Sequence, residues 1–253
     1  MRAAFLHLDL SGGPESSNLA LLCQAILLAA EQGANWIITP ETAVQGYFFA
    51  EKSEACQIAV QPDKSLQVII DLSLRYRLTV FLGCAEQDKE TGCCYNSCLV
   101  IGPDGKTLGR HRKLRAHGGA EAWSVRGKAL DPIVCPEMIA GVLICADSWY
   151  VEHAQVLKDK GARVIVVPAA WPPGKCGPGD CWERCSKATG LPVWVCNQTG
   201  SGEKMDFSQA QSAVIANGKM QMAYSGLAQA VLTFDWDCRR QCLLSSQFTV
   251  IAV

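Results

Sequence analysis

A carboxylate, an ammonium group and a thiol each follow an apolar, strand-like run of this chain. Glu41 comes after Trp36–Ile38, Lys113 follows a hairpin-like stretch, and Cys145 ends the run 139–144. A carboxylate can take a thiol proton, an ammonium group can stabilise an oxyanion, and a thiolate can attack an electrophilic carbon. The three residue types together therefore predict nucleophilic catalysis at Cys145.

Each of these residues also has an ordinary structural interpretation. Cys145 is one of fourteen cysteines, and a cysteine in an apolar run is usually a buried core thiol. Glu41 could cap a helix or form a surface ion pair, and the residues alone do not choose between these roles and a catalytic one.

The lysine lies in a cluster of basic residues, which are Arg110, Arg112, Lys113 and Arg115. A solvated basic strand end is the ordinary interpretation of this cluster. A phosphate or nucleic-acid site is another, but no aromatic residues interleave with the basic ones and the net charge of the chain is only −1. The cluster therefore predicts no nucleic-acid partner.

Several motifs occur in an order and spacing that resemble those of the nitrilase, or carbon–nitrogen hydrolase, superfamily. The segments that carry the resemblance are Ile38–Glu41, His111–Lys113, Gly141–Trp149 and Gly161–Trp171. Two further matches are Glu121 followed by Gly127, and the Asn197–Gly200 turn. The resemblance extends from Arg2 to Phe234, nearly the whole chain.

The resemblance implies a role for each residue of the site. Glu41 would be the general base, Cys145 the nucleophile, and Lys113 with the Ala146 amide N–H would hold the oxyanion. Glu121 would orient the substrate or the water, or position Lys113, although it could be an ordinary loop glutamate. A thioester intermediate follows from these roles, and no metal or organic cofactor is implied.

The residues after the cysteine bear on the substrate. Cys145-Ala146-Asp147-Ser148-Trp149 resembles amide and carbamoyl hydrolases more than nitrilases, which favours the C–N bond of a small linear amide. An N-carbamoyl amine and a nitrile remain alternatives. The candidate pocket walls are Trp123, Tyr150 and Trp171, which could equally be packing residues. A cationic pocket would indicate the ω-amide of a dicarboxylate, and an acidic pocket a carbamoyl polyamine.

Two alternatives come from other functional classes. One is a non-catalytic binding or scaffold relative, which would gain nothing from a thiol beside a base and an ammonium group. The other is a glutaminase subunit that supplies ammonia to a synthetase. Glutamine turnover that occurs only when a partner protein is present would support this alternative. The resemblance also implies a homodimer or a higher homo-oligomer, with a monomer as the alternative.

Composition limits the class of protein further. The chain has 253 residues, of which 49% are hydrophobic, and it predicts a single domain over residues 1–253. No apolar run reaches the roughly 18–20 residues of a membrane span, and the start lacks a signal-peptide pattern. We therefore expect a cytoplasmic protein with free thiols. The spacing of Cys176, Cys181 and Cys185 does not suit zinc, so we predict no metal.

Strand-like and helix-like patterns alternate along the chain. Helices are predicted over 18–32, 65–77, 150–160 and 180–189, and Gly102–Gly105 and Asn217-Gly218 predict hairpin turns. The last clear strand is 229–234. This order indicates an α/β fold with mixed sheets covered by helices. The resemblance implies a four-layer α-β-β-α sandwich with the catalytic residues at one end of two packed sheets.

Overall fold

The computed structural model describes residues 1–11, 13–52, 57–116, 118–202 and 204–253. The α-helices in these ranges are α1 (Glu15–Glu31), α2 (Phe49–Lys52), α3 (Gln67–Tyr76), α4 (Val151–Asp159) and α5 (Cys181–Thr189). Short 3-10 helices occupy Lys64–Leu66, Gly119–Glu121 and Cys145–Trp149. None of the described helices combines the length and the apolar character that a bilayer crossing requires.

The strands form two mixed sheets. In chain order they are β1 (Arg2–His7), β2 (Trp36–Ile38), β3 (Thr79–Gln87), β4 (Cys94–Ile101), β5 (Thr107–Arg112), β6 (Ile133–Val134), β7 (Ile139–Val142), β8 (Val164–Ala169), β9 (Val193–Asn197), β10 (Ser212–Ala216), β11 (Lys219–Tyr224), β12 (Ala230–Asp237), β13 (Cys242–Leu243) and β14 (Thr249–Ala252). The first sheet has the order β13-β12-β1-β2-β3-β4-β5, with β14 also paired to β12. The second has the order β11-β10-β9-β8-β7-β6.

Both sheets have a parallel centre and antiparallel edges. Strands β1, β2 and β3 run parallel in the first sheet, and β7, β8 and β9 run parallel in the second. The carboxyl ends of parallel strands lie at one edge of a sheet, where ligand sites of α/β proteins gather. Residues that follow β2, β7, β8 and β9 are therefore placed for a common site.

The two sheets pack face to face, with helices on the outside. Phe5, Trp36 and Phe81 of the first sheet share one buried cluster with Trp194 and Val166 of the second. A separate cluster joins α1 and α3 to the other face of the first sheet, while α4 and α5 pack against the second. The fold is thus an α-β-β-α sandwich, and the predicted fold class is confirmed.

The chain beyond the last predicted strand also belongs to the first sheet. Strand β12 extends to Asp237, and both β13 and β14 pair with it. β14 is only four residues long and largely exposed, so it lacks the alternating apolar pattern of a half-buried strand. Its pairing with β12 comes from tertiary context rather than from its own sequence.

Candidate active site

Glu41 lies three residues beyond the end of β2, in the crevice between the two sheets. Its backbone N–H donates to Ala169 O of β8 at 3.4 Å, which ties the turn to the second sheet. Gly83 of β3 lies directly beneath, where a Cβ would come within 2.1 Å of Pro40 O. A glycine at that position therefore allows the turn that carries the carboxylate to sit against the sheet.

Cys145 occupies a strained turn just after β7. Its φ is +48°, in the left-handed region that costs a non-glycine residue about 1–2 kcal/mol. A 3-10 helix begins at the cysteine and runs to Trp149, so the thiol is held at a sharp strand-to-helix turn. Backbone strain of this kind is concentrated at functional sites, where the surrounding structure maintains it.

The carboxylate of Asp147 maintains this turn. It accepts the backbone N–H of Ile144 at 3.2 Å and the N–H groups of Leu114 and Arg115 at 3.0 and 2.8 Å. Its other partner is Nε2 of the buried His111 at 2.9 Å. Because Leu114 and Arg115 follow Lys113 directly, one buried carboxylate fixes the cysteine turn relative to the lysine segment.

Lys113 lies between two carboxylates in the interior. Its Nζ donates to Oε1 of Glu41 and to Oε1 of Glu121, both at 2.6 Å, and all three residues are 1% exposed. Asn96 donates to Glu41 at 2.8 Å, and the Tyr47 hydroxyl donates to Glu121 at 2.9 Å. Charges buried this deeply are stable only when they are paired and hydrogen-bonded, as these are.

The position of Glu121 depends on a close backbone contact. The Gly127 N–H donates to Lys113 O at 2.8 Å, which closes the segment carrying Glu121 onto the lysine. A Cβ on Gly127 would come within 2.2 Å of Arg112 O, so a larger residue cannot occupy this position without a backbone shift. The contact gives a physical reason for a glycine at position 127.

Burial and charge shift the pKa values of the site in a consistent way. Burial raises the pKa of Glu41 to about 6, opposed by the charge of Lys113 and reinforced by that of Glu121. Burial lowers the pKa of Lys113, but the surrounding negative charges outweigh it and the pKa lies well above the ordinary value. Burial, followed by the charge of Glu41, raises the pKa of the Cys145 thiol well above its usual range. The resting site therefore holds an ammonium group and a neutral thiol.

Cys145 opens onto a cavity of about 440 Å³. Its walls include Tyr47, Phe48, Ala170, Trp171, Lys175, Lys204 and Met205. The backbone of Trp171 is fixed by Asn197, whose side chain accepts from Trp171 N and donates to Trp171 O, both at 2.9 Å. Lys175 brings a positive charge to the cavity wall.

The three predicted pocket walls have different positions. Trp171 lines the cavity at Cys145 and also a neighbouring cavity of about 270 Å³, which shares Lys175 with the first. Tyr150 and Ala146 line only the neighbouring cavity. Trp123 lies outside the described lining of both; its ring packs against Phe49 with a centroid separation of 5.0 Å. This contact places the Trp123 ring beside α2, and its role as a pocket wall stays a prediction.

Sequence reasoning missed several polar members of the site. Asn96 contacts Glu41, Tyr47 contacts Glu121, and Asp147 fixes the backbone that follows Lys113, yet the sequence assigned no role to any of them. Asn96 lies within a predicted hairpin strand, and Tyr47 lies in the turn that follows Glu41. Lys175 follows a Pro-rich loop with no recognisable signal. The strand ends predict where such partners gather, but only tertiary pairing identifies them.

Comparison with known proteins identifies the family to which this fold belongs. The sequence profile of the carbon–nitrogen hydrolase family matches residues 12–234. Omega-amidase NIT2-B from Xenopus laevis is 27% identical over 239 residues, covering 88% of this chain and 84% of the relative. A citrullinase from Francisella tularensis is 31% identical over 165 residues, or 62% of this chain and 57% of the relative.

A solved structure agrees with the sequence comparisons. Nit3 from Saccharomyces cerevisiae, a member of branch 10 of the nitrilase superfamily, superposes with a TM-score of 0.80 at 20% identity, covering 92% of this chain and 88% of that chain. The protein therefore belongs to the carbon–nitrogen hydrolase family. Both the resemblance seen in the sequence and the predicted class of enzyme are confirmed.

Proposed function

We propose that the protein hydrolyses the C–N bond of a small linear amide through a thioester on Cys145. One observation carries this proposal. A thiol at a strained turn opens onto a cavity, and a buried carboxylate and a buried ammonium group both act on it electrostatically. A scaffold protein would have no use for two buried carboxylates that each lie 2.6 Å from a buried lysine, because burying charge is costly.

The raised pKa of the thiol indicates how the nucleophile forms. Cys145 is a neutral thiol at rest, and Glu41 is mostly ionised at neutral pH because its pKa is about 6. Glu41 therefore acts as a general base, taking the thiol proton as the sulfur attacks the carbonyl carbon. The backbone N–H of Ala170 donates to Oε2 of Glu41 at 3.1 Å and orients the carboxylate for this transfer.

Lys113 and the Ala146 amide are the proposed oxyanion donors. The Ala146 N–H lies in the first turn of the 3-10 helix, where amide groups have no intrahelical acceptor. The tetrahedral intermediate collapses when Glu41 gives its proton to the leaving nitrogen. Water, activated by Glu41, then cleaves the thioester and releases the acid. Glu121 holds Lys113 in place throughout this cycle.

The cavity wall favours an amide that carries a second, negatively charged group. Lys175 and Lys204 both line the cavity that contains the thiol, and Lys175 provides an ammonium group for a carboxylate. The omega-amidase relative fits such a substrate by name. We therefore propose the half-amide of a short dicarboxylic acid as the substrate class. An N-carbamoyl amine and a nitrile are the alternatives, and the citrullinase relative makes a ureido acid a useful comparison.

Ammonia release from a panel of compounds tests this proposal. The panel pairs succinamate and glutaramate with neutral amides of the same length, a ureido acid and a nitrile. We expect higher kcat/KM for the half-amides, and a loss of that preference in Lys175→Gln. Lys158→Gln, which removes an exposed lysine of α4 outside the cavity, is the matched control. Equal kcat/KM for charged and neutral amides would refute the dicarboxylate half-amide.

Three further predictions accompany the proposed activity. We propose that residues 1–253 form one carbon–nitrogen hydrolase domain, that the protein is a cytoplasmic enzyme, and that it forms a homodimer or a higher homo-oligomer. Light scattering of the purified protein tests the last of these. A monomer at micromolar concentration would contradict it.

A further inference from the structure

A second cleft, separate from the catalytic cavity, lies at the β5 edge of the first sheet. Its volume is about 420 Å³, close to that of the cavity at Cys145, and the two share no lining residue. Four cationic side chains line it, which are Arg110, Arg112, Arg126 and Lys128. We call it the arginine cleft. One carboxylate, that of Asp131, also lines it, and this group pairs with Lys160 at 2.8 Å.

A buried carboxylate fixes the positions of two of the arginines. Glu86 is fully buried, and its two oxygens accept from Arg110 at 2.6 Å and from Arg112 at 2.5 Å. Arg112 also pairs with Asp88 at 2.9 Å and lies 4.1 Å above the Tyr95 ring. A guanidinium group has five N–H donors, so both arginines keep donors for a ligand. Their side chains remain 35% and 26% exposed.

The other two cations add positive charge to the cleft. Arg126 and Lys128 are exposed on the segment that passes over β5. Within the described part of the chain, neither forms an ion pair. Between them, Gly127 donates its N–H to Lys113 O at 2.8 Å, which fixes the segment against the strand. The cleft thus combines two oriented guanidinium groups with two unpaired cations on a fixed backbone.

We propose that the arginine cleft binds a phosphate group, either as inorganic phosphate or as part of a small phosphorylated molecule. Planar guanidinium groups match phosphate oxygens with paired hydrogen bonds, and a fixed fork loses little conformational entropy on binding. Charge also favours phosphate over a monocarboxylate, because Arg126 and Lys128 remain after Glu86 and Asp88 have paired with the other two arginines, among the residues that the structure describes. The sequence shows only the basic run on β5; folding adds Tyr95, Arg126 and Lys128 from two other segments.

Isothermal titration calorimetry with pyrophosphate, at ionic strength fixed with NaCl, tests the site. We expect binding to wild type that weakens as ionic strength rises, and an affinity about tenfold lower in the R126Q/K128Q double variant. The R239Q/R240Q variant removes two exposed charges near β13, at the opposite edge of the same sheet, and we expect it to change the affinity less than twofold.

The controls separate this cleft from other anion sites. Unchanged affinity in R126Q/K128Q, no measurable binding to wild type, or an equal loss in R239Q/R240Q would each overturn the proposal. A loss in K175Q instead would place the anion in the catalytic cavity and would also overturn it. Titrations with inorganic phosphate and adenosine monophosphate distinguish the two sources. Tighter binding of the phosphomonoester assigns a phosphorylated small molecule, and equal binding assigns the free oxyanion.

Discussion

Replacing Glu121 with glutamine removes one of the two buried carboxylates that contact Lys113, while keeping the shape of the side chain. In the wild type, the negative charge of Glu121 contributes to the raised pKa of Glu41, after burial and against the effect of Lys113. Without that charge, ionised Glu41 is more stable. We therefore expect the Glu121→Gln substitution to lower the pKa of Glu41 from about 6.

The structure sets the size of this shift. The Oε1 atoms of Glu41 and Glu121 each lie 2.6 Å from the same lysine nitrogen, so they are separated by about 5 Å at most. At an effective dielectric constant of about 20, two charges at that distance interact by about 3 kcal/mol. This energy corresponds to roughly two pKa units, which places the pKa of Glu41 near 4 in the variant.

The dependence of kcat/KM on pH reports this change, because its acid limb follows the essential base of the free enzyme. At pH 5 the wild type would retain about a tenth of its plateau value and the variant about nine-tenths of its own. Tyr47→Phe is the control, since it removes the 2.9 Å hydrogen bond to Glu121 without removing charge, and should move the limb by less than about half a unit. An acid limb that stays in place or moves to higher pH in Glu121→Gln would refute the assignment of Glu41 as the base.

Three other substitutions test the framework of the site. Gly127→Ala should lower the free energy of unfolding in urea by about 2 kcal/mol, because the added Cβ would clash with Arg112 O. Gly118→Ala, which has open space around it, should change that free energy by less than about 0.5 kcal/mol. Equal effects of the two substitutions would contradict the close contact at Gly127. Asp147→Asn should lower the free energy of unfolding by about 3 kcal/mol and lower kcat at least tenfold, because the carboxylate fixes the turn that carries Cys145. Unchanged kcat in a folded variant would contradict that role. Asn197→Ala should raise KM more than it lowers kcat, because it removes the two hydrogen bonds that fix the backbone of Trp171 in the cavity wall. Steady-state kinetics in which kcat falls more than KM rises would contradict this role.

Much of the fold could be predicted because the apolar residues of this chain recur with the regular spacing of helices and strands. The helices α1, α3, α4 and α5 were all expected within a few residues of their bounds. Strand β6 has only two residues and β14 is largely exposed, so neither carries a periodic apolar signal. That the strands divide into two sheets follows from long-range pairing, which the residues alone did not show.

The residues of the site also differ in how far the sequence alone predicts them. Glu41 and Cys145 stand at strand ends, where their types are unusual enough to suggest chemistry. Lys113 needed the family resemblance, because its neighbours include three arginines. The basic run was expected to be solvated, yet Arg110 pairs with the fully buried Glu86. An ion pair between a buried carboxylate of β3 and an arginine of β5 depends on the strand register, which the sequence does not reveal.

Intact-protein mass spectrometry during turnover tests the central claim most directly. Wild type and Cys145→Ala are mixed with succinamate, quenched in acid after a short interval, and weighed beside samples without substrate. The proposed mechanism predicts a species heavier by one succinyl group on wild type alone, together with loss of ammonia release in a Cys145→Ala variant that keeps its fold. The same adduct on Cys145→Ala, or undiminished hydrolysis by that variant, would contradict nucleophilic catalysis by Cys145.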